Sequence, residues 1–99
     1  MTADYEMGFI GLTHVFRLCF RPLLVTKQSK VYVRRDREMT VICTIMRTSK
    51  KTYRVIVTGY ASGNHKAVYD EYRSFRYLYE LCSYLNTLSA LNVYQSKRG

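Results

Sequence analysis

Lys30, Arg34, Arg35 and Arg37 crowd one short stretch of this chain, and Lys50, Lys51 and Arg54 crowd another. Arg47 lies between them, and Tyr32 and Tyr53 are interleaved. Side chains of these types suit one chemistry. The guanidinium fork grips phosphate oxygens through charge-assisted hydrogen bonds, and a neighbouring phenol ring offers a face on which a base stacks. The expectation is a surface for nucleic acid, either RNA or single-stranded DNA. The competing reading is a solvated sheet face whose basic residues discourage edge-to-edge association.

The charge distribution points the same way. Between Arg17 and Arg54 stand eleven basic residues against Asp36 and Glu38, an excess of +9 in 38 residues, while the remainder of the chain sums to zero. Folding does not need such asymmetry, and self-repulsion makes it mildly costly. An anionic partner is implied: nucleic acid, a membrane surface or an acidic protein patch.

Catalytic chemistry finds little support. His14 and His65 lie 51 positions apart, and the seven acids show no paired-carboxylate spacing. There is no nucleophile elbow, Walker loop or zinc-deaminase signature. Cys82 and His65 are chemically able to form a thiolate pair. Cys82 falls on an apolar helical stripe, however, where an inert core thiol is expected. Cys19, Cys43 and Cys82 are odd in number, contain no CxxC pair and have no histidine at metal-ligand spacing. All three are expected as reduced, buried thiols. The chain is read as non-enzymatic, with no catalytic residue, metal or cofactor.

No apolar run approaches the ~20 residues of a membrane span. Asp4 and Glu6 stand where a secretory signal carries lysine or arginine. The expectation is an intracellular protein of the cytoplasm or nucleus. Its small size, basicity and lack of catalytic groups would suit a viral accessory or host-interaction protein.

Ninety-nine residues make one domain, read here as 1–94 with a basic flexible tail over 95–99. Residues 2–12 fit helical spacing through Tyr5, Phe9, Leu12 and Phe16, weakened by Gly8 and Gly11. From His14 the alternation of Phe16, Leu18 and Phe20 with Arg17, Cys19 and Arg21 predicts a half-buried strand. Pro22 limits it to an edge, a bulge or a strand end. Lys30–Arg34 reads as a short strand. Thr40–Arg47 and Tyr53–Thr58, separated by a polar turn, read as a hairpin with the first strand central. Residues 59–66 form a loop and 67–69 a short extended piece. A long helix is expected from about Asp70 or Glu71 to Leu88, with Phe75, Leu78, Cys82 and Leu85 facing the sheet. The fold class is α+β, with a three- to four-stranded, mainly antiparallel sheet and a C-terminal helix on one face. Antiparallel connectivity is expected to gather the basic residues at one rim.

Tyr77, Tyr84 and Leu91 extend the apolar surface of that helix beyond what one sheet face needs. Self-association and irregular packing both account for them. The first predicts a homodimer, or a protein partner, with those three side chains at the interface.

The segments TVICTIMRTSKKTYRVIVTGY and KAVYDEYRSFRYLYELCSYL, within residues 40–88, resemble the first half of a phox-homology (PX) domain. In that family a three-stranded antiparallel sheet runs into a helix through an Arg-Arg-Tyr, x-x-Phe, x-x-Leu pattern, and Tyr72, Phe75 and Leu78 stand at the matching spacing. The resemblance implies an adaptor at anionic, phosphoinositide-bearing membrane. The phosphate-gripping arginine pair of the family falls here on Asp70 and Glu71. The family's proline-rich membrane loop and second helix have no counterpart.

Overall fold

The run from Val41 to Met46, β-branched or apolar at nearly every position, has few exposed side chains, and it forms the heart of a central strand. The computed structural model describes residues 2–48, 51–61 and 67–90. Five strands pair antiparallel in chain order: β1 (Arg21–Val25), β2 (Ser29–Arg35), β3 (Met39–Arg47), β4 (Tyr53–Ala61) and β5 (Ala67–Phe75). The β3–β4 hairpin is the one expected. Its turn is closed by the Thr48 and Thr52 hydroxyls, 2.6 Å apart, and carries Lys51 at φ 62°. The strand count exceeds the three or four expected, because β1 and β5 are full partners.

Side chains alternate between two faces. Tyr32, Val41, Cys43, Ile45, Tyr53, Val55 and Val57 point inward to a shared core. Three helices complete that core among the described residues: α1 (Thr2–Leu12), α2 (His14–Cys19) and α3 (Leu78–Ala90). They contribute Phe9, Phe16, Leu81, Cys82, Leu85 and Leu88, with Phe20 from the junction after α2. Phe16 stacks on Phe20 at 4.5 Å and meets the Tyr32 ring edge-on at 5.1 Å. The helices thus cover one face of the sheet, and no described helix covers the other, called the open face below.

Three local expectations need correction. Residues 14–19 are helical, not a strand. Phe16 and Phe20 satisfy both a two-residue and a four-residue period, but Leu18, which alternation would bury, is 72% exposed. Residues 70–75 are strand rather than helix. Tyr69, Glu71, Arg73 and Phe75 pair in register with Gly59, Val57, Val55 and Tyr53, completing the hydrogen bonding of β4. The helix starts only at Leu78. Finally, residues 59–61, expected in a loop, continue β4, and 62–66 lie outside the described residues. Gly59 packs closely on the inner face, where a Cβ would lie 2.9 Å from Met39 Cε and 3.2 Å from Tyr69 Cβ. Pro22 sits where its missing N–H does least harm, on the edge strand at a register shift between Pro22 and Leu24.

Candidate functional site

The end of β2 with the turn after it, carrying Arg34, Arg35 and Arg37, and the turn after β3, carrying Lys51, mark consecutive connections of a meander. Such turns lie at opposite ends of the sheet. The nine residues of β3 separate them by about 27 Å at the rise of a β-strand. The expected single basic rim is therefore two basic ends. Arg21 joins the first, since it pairs with Val33. Lys27 lies in the turn adjoining the second, where the Arg47 N–H donates to Gln28 O at 2.8 Å.

Burial divides the expected ligand residues further. Tyr32 and Tyr53 are core side chains, each more than nine-tenths buried, so neither presents a ring to a base. Both sit on the inward-facing half of the alternation, as Val55 and Val57 do. Lys30 is 1% exposed; its Nζ donates to Thr26 O at 3.1 Å and lies 5.3 Å from the centre of the Phe9 ring. That arrangement pins α1 to β2 rather than greeting a ligand. Arg34 Nη1 donates to Leu88 O at 3.4 Å, serving the carbonyl end of α3. Arg47 is half-buried on the inner side, opposite Tyr53. Lys50 lies outside the described residues. Arg35, Arg37, Lys51 and Arg54 remain exposed.

The open face of the sheet supplies what the buried tyrosines do not. Val31, Thr44, Ile56 and Tyr72 form one cross-strand row on it, and Val33, Ile42, Thr58 and Asp70 form the next. Tyr72 is 56% exposed. Arg54, opposite Ser74, is its diagonal neighbour, about 7–8 Å away between backbones and within reach of long side chains. Half-buried Tyr60 stands on the same face, opposite Thr40. An exposed ring beside an exposed guanidinium is the combination sought at Tyr53, displaced by one residue to the other side of the strand. Alternation along β4 already carried the signal: if Tyr53 shares a face with Val55, Arg54 shares one with Ile56 and Tyr60.

The acids at the PX-like positions part company. Asp70 faces the open side and Glu71 the inner side. Glu71 accepts a hydrogen bond from the Tyr69 hydroxyl and pairs with Arg73 at 2.5 Å. The Tyr69 bond, then Arg73, hold the Glu71 carboxyl below its ordinary range, while burial and the Glu71 contact push the Tyr69 phenol up to about 12. Tyr84, expected at an interface, packs instead against Phe75 at 5.3 Å, and its buried hydroxyl has no hydrogen-bond partner among the described residues. Tyr77 is exposed and stacks with Tyr79 at 5.8 Å. Leu91 and the 95–99 tail lie outside the described residues.

Cys43 and Cys82 are buried as expected, and burial pushes their thiols up to about 12 and about 11, far from thiolate formation at neutral pH. Cys19 departs from expectation: it is exposed at the end of α2. His65 lies outside the described residues. Among the described residues no group of three His, Cys, Asp or Glu side chains is placed to hold a metal ion. No described helix is long and apolar enough to cross a membrane. Comparison with protein-family models, curated proteins and solved structures returned no match.

Proposed function

We propose that this protein is a non-enzymatic binder of single-stranded nucleic acid that receives its ligand on the open face of the sheet. The observation that carries the reading is the exposed Tyr72–Arg54 pair on a face no described helix covers, in a chain of net charge +9. Tyr72 stacks a base, Arg54 meets the adjoining phosphate, and Arg35 and Arg37 extend the positive track at one end of the sheet. Fluorescence anisotropy with a 20-nucleotide strand tests this. Contact with about five phosphates gives a log–log salt slope near −3.5, so a fourfold rise in salt weakens binding roughly a hundredfold. Tyr72→Ala should cost about 1–3 kcal/mol of binding, the worth of one stacked base. Weak binding that ignores both salt and Tyr72 overturns the reading.

A rival reading, an adaptor at anionic membrane, draws on a different observation. Met7, Ile10, Leu18, Leu23, Leu24 and Val25 are each at least half exposed, close in sequence to Arg17, Arg21 and Lys27. Such a surface favours insertion of apolar side chains beneath a layer of anionic headgroups. Flotation with anionic and with neutral vesicles decides between them: the adaptor needs Leu18 and Met7, and the nucleic-acid reading does not.

A further inference from the structure

Arg21 and Arg35 occupy diagonal positions on neighbouring strands, because Arg21 pairs with Val33 and both arginines share the open face. Like charges so placed repel one another. Neither guanidinium has a hydrogen-bond or ion-pair partner among the described residues, in contrast to Arg17, which donates to Ile10 O at 2.7 Å. The nearest acid in sequence, Asp36, is already engaged: its Oδ1 accepts from Glu38 N at 3.0 Å and Met39 N at 2.9 Å in the turn after β2. Between the two arginines opens a cavity of about 490 Å³, lined by Cys19, Arg21, Pro22, Leu23, Val33 and Arg35. None of these described lining residues carries a carboxylate. The volume lies in the range of small-ligand sites.

We infer that this cavity binds a phosphate monoester. Two guanidiniums with no partner among the described residues match a group carrying close to two negative charges and three terminal oxygens. Pro22, Leu23 and Val33 provide an apolar wall for the organic group on the fourth oxygen. A diester carries one charge and needs two exits, so the site discriminates against it. Two sources present this chemistry: the 5′-phosphate end of a strand, and the headgroup of phosphatidic acid. The cavity adjoins the open sheet face but does not depend on the strand-binding reading, since the site can be filled by a small phosphate alone.

Cys19 supplies the reporter, because it lines the cavity and is exposed, whereas Cys43 and Cys82 are buried. The rate of its alkylation by iodoacetamide, read by intact mass, is measured with phenyl phosphate at constant ionic strength. Phenyl phosphate should slow alkylation at least fivefold and saturably, methyl phenyl phosphate much less. Arg21→Gln and Arg35→Gln should each remove the protection, while Arg76→Gln, at the other end of the sheet, should keep it. Circular dichroism of both cavity variants verifies that they fold. No protection by phenyl phosphate, equal protection by the diester, or protection that survives both cavity variants overturns the inference. Two further arms identify the source: a 5′-phosphorylated ten-nucleotide strand against its 5′-hydroxyl twin, and vesicles of phosphatidic acid against phosphatidylglycerol. At least a tenfold preference, abolished by Arg35→Gln, marks the strand end or the lipid accordingly, and absence of preference in both confines the site to soluble monoesters. If phenyl phosphate protects Cys19 while Tyr72→Ala leaves strand binding unchanged, the cavity stands and the strand-binding reading falls.

Discussion

Tyr69, Glu71 and Arg73 stand in line along the inner side of β5, and the middle residue is the one whose charge matters to the fold. Glu71 is ionised more readily in the folded chain than in the unfolded one, because the Tyr69 hydroxyl and the Arg73 guanidinium both favour its anion. A carboxyl lowered by folding stabilises the fold above its unfolded value, and that contribution disappears as pH falls through the folded value. The melting temperature of the wild type should therefore decline below about pH 4.5, and Glu71→Gln should decline less steeply. At pH 7 the variant should be the less stable of the two. Equal slopes in acid would show that the Glu71 contacts are not maintained in solution. Lys51, at φ 62°, is a second residue-scale case. A side chain in this region costs about 1 kcal/mol, so Lys51→Gly should raise stability by up to that amount, offset by the greater freedom of glycine in the unfolded chain.

Among the elements, the connection between α1 and α2 depends on a side chain far away in sequence. Thr13 precedes α2 at the capping position but gives α2 no side-chain cap; its hydroxyl instead turns back to the Phe9 carbonyl. Asn86 of α3 takes over, accepting from Phe16 N at 3.0 Å and donating to Leu12 O at 2.7 Å. Removing it takes the partner from the part-buried Phe16 N–H, at about 1–3 kcal/mol, and from the exposed Leu12 carbonyl, which water can still reach. Asn86→Ala should cost about 2 kcal/mol in denaturant unfolding, and Asn86→Asp, which keeps only the acceptor, about half that. This also explains which parts of the fold were readable. The hairpin of β3 and β4 was legible because its alternation and its turn residues agree. The helices were legible only in part: the helical spacing of residues 2–12 and the C-terminal helix both have counterparts in α1 and α3, but α2 was read as a strand and α3 starts at Leu78 rather than at 70 or 71. Gly8 weakens α1 as a sequence, yet a Cβ there would lie 2.7 Å from Leu78 Cδ2, so the glycine belongs to the approach of α1 to α3. Long-range contacts of that kind leave no periodic trace. The candidate site was half legible. Arg54 emerged from charge alone, whereas Tyr72 stayed hidden inside a segment read as helix.

At the scale of the whole molecule, the separation of the two basic ends decides how they act. They lie about 27 Å apart along β3, well beyond the Debye length of about 10 Å at 0.1 M salt. Each end therefore repels itself but scarcely senses the other. Charge reversal at one end (Arg35→Glu with Arg37→Glu) and at the other (Lys51→Glu with Arg54→Glu) should weaken strand binding independently, with free energies that add within about 0.5 kcal/mol. A shortfall of more than that in the combined variant would show that a single strand does not contact both ends. Added salt should act oppositely on the free protein, raising its melting temperature by relieving repulsion within each end while it weakens binding.

The chain-order pairing of the strands has a kinetic consequence. Each strand pairs with its neighbour in sequence, so every hairpin closes a short loop and the sheet can zip up before distant segments meet. The Asn86 contacts, by contrast, close loops of 70 and 74 residues. Docking of α1 and α2 onto α3 belongs after the rate-limiting barrier. Stopped-flow experiments on Asn86→Ala should show faster unfolding with the refolding rate nearly unchanged, while Val55→Ala, in the β3–β4 hairpin, should slow refolding.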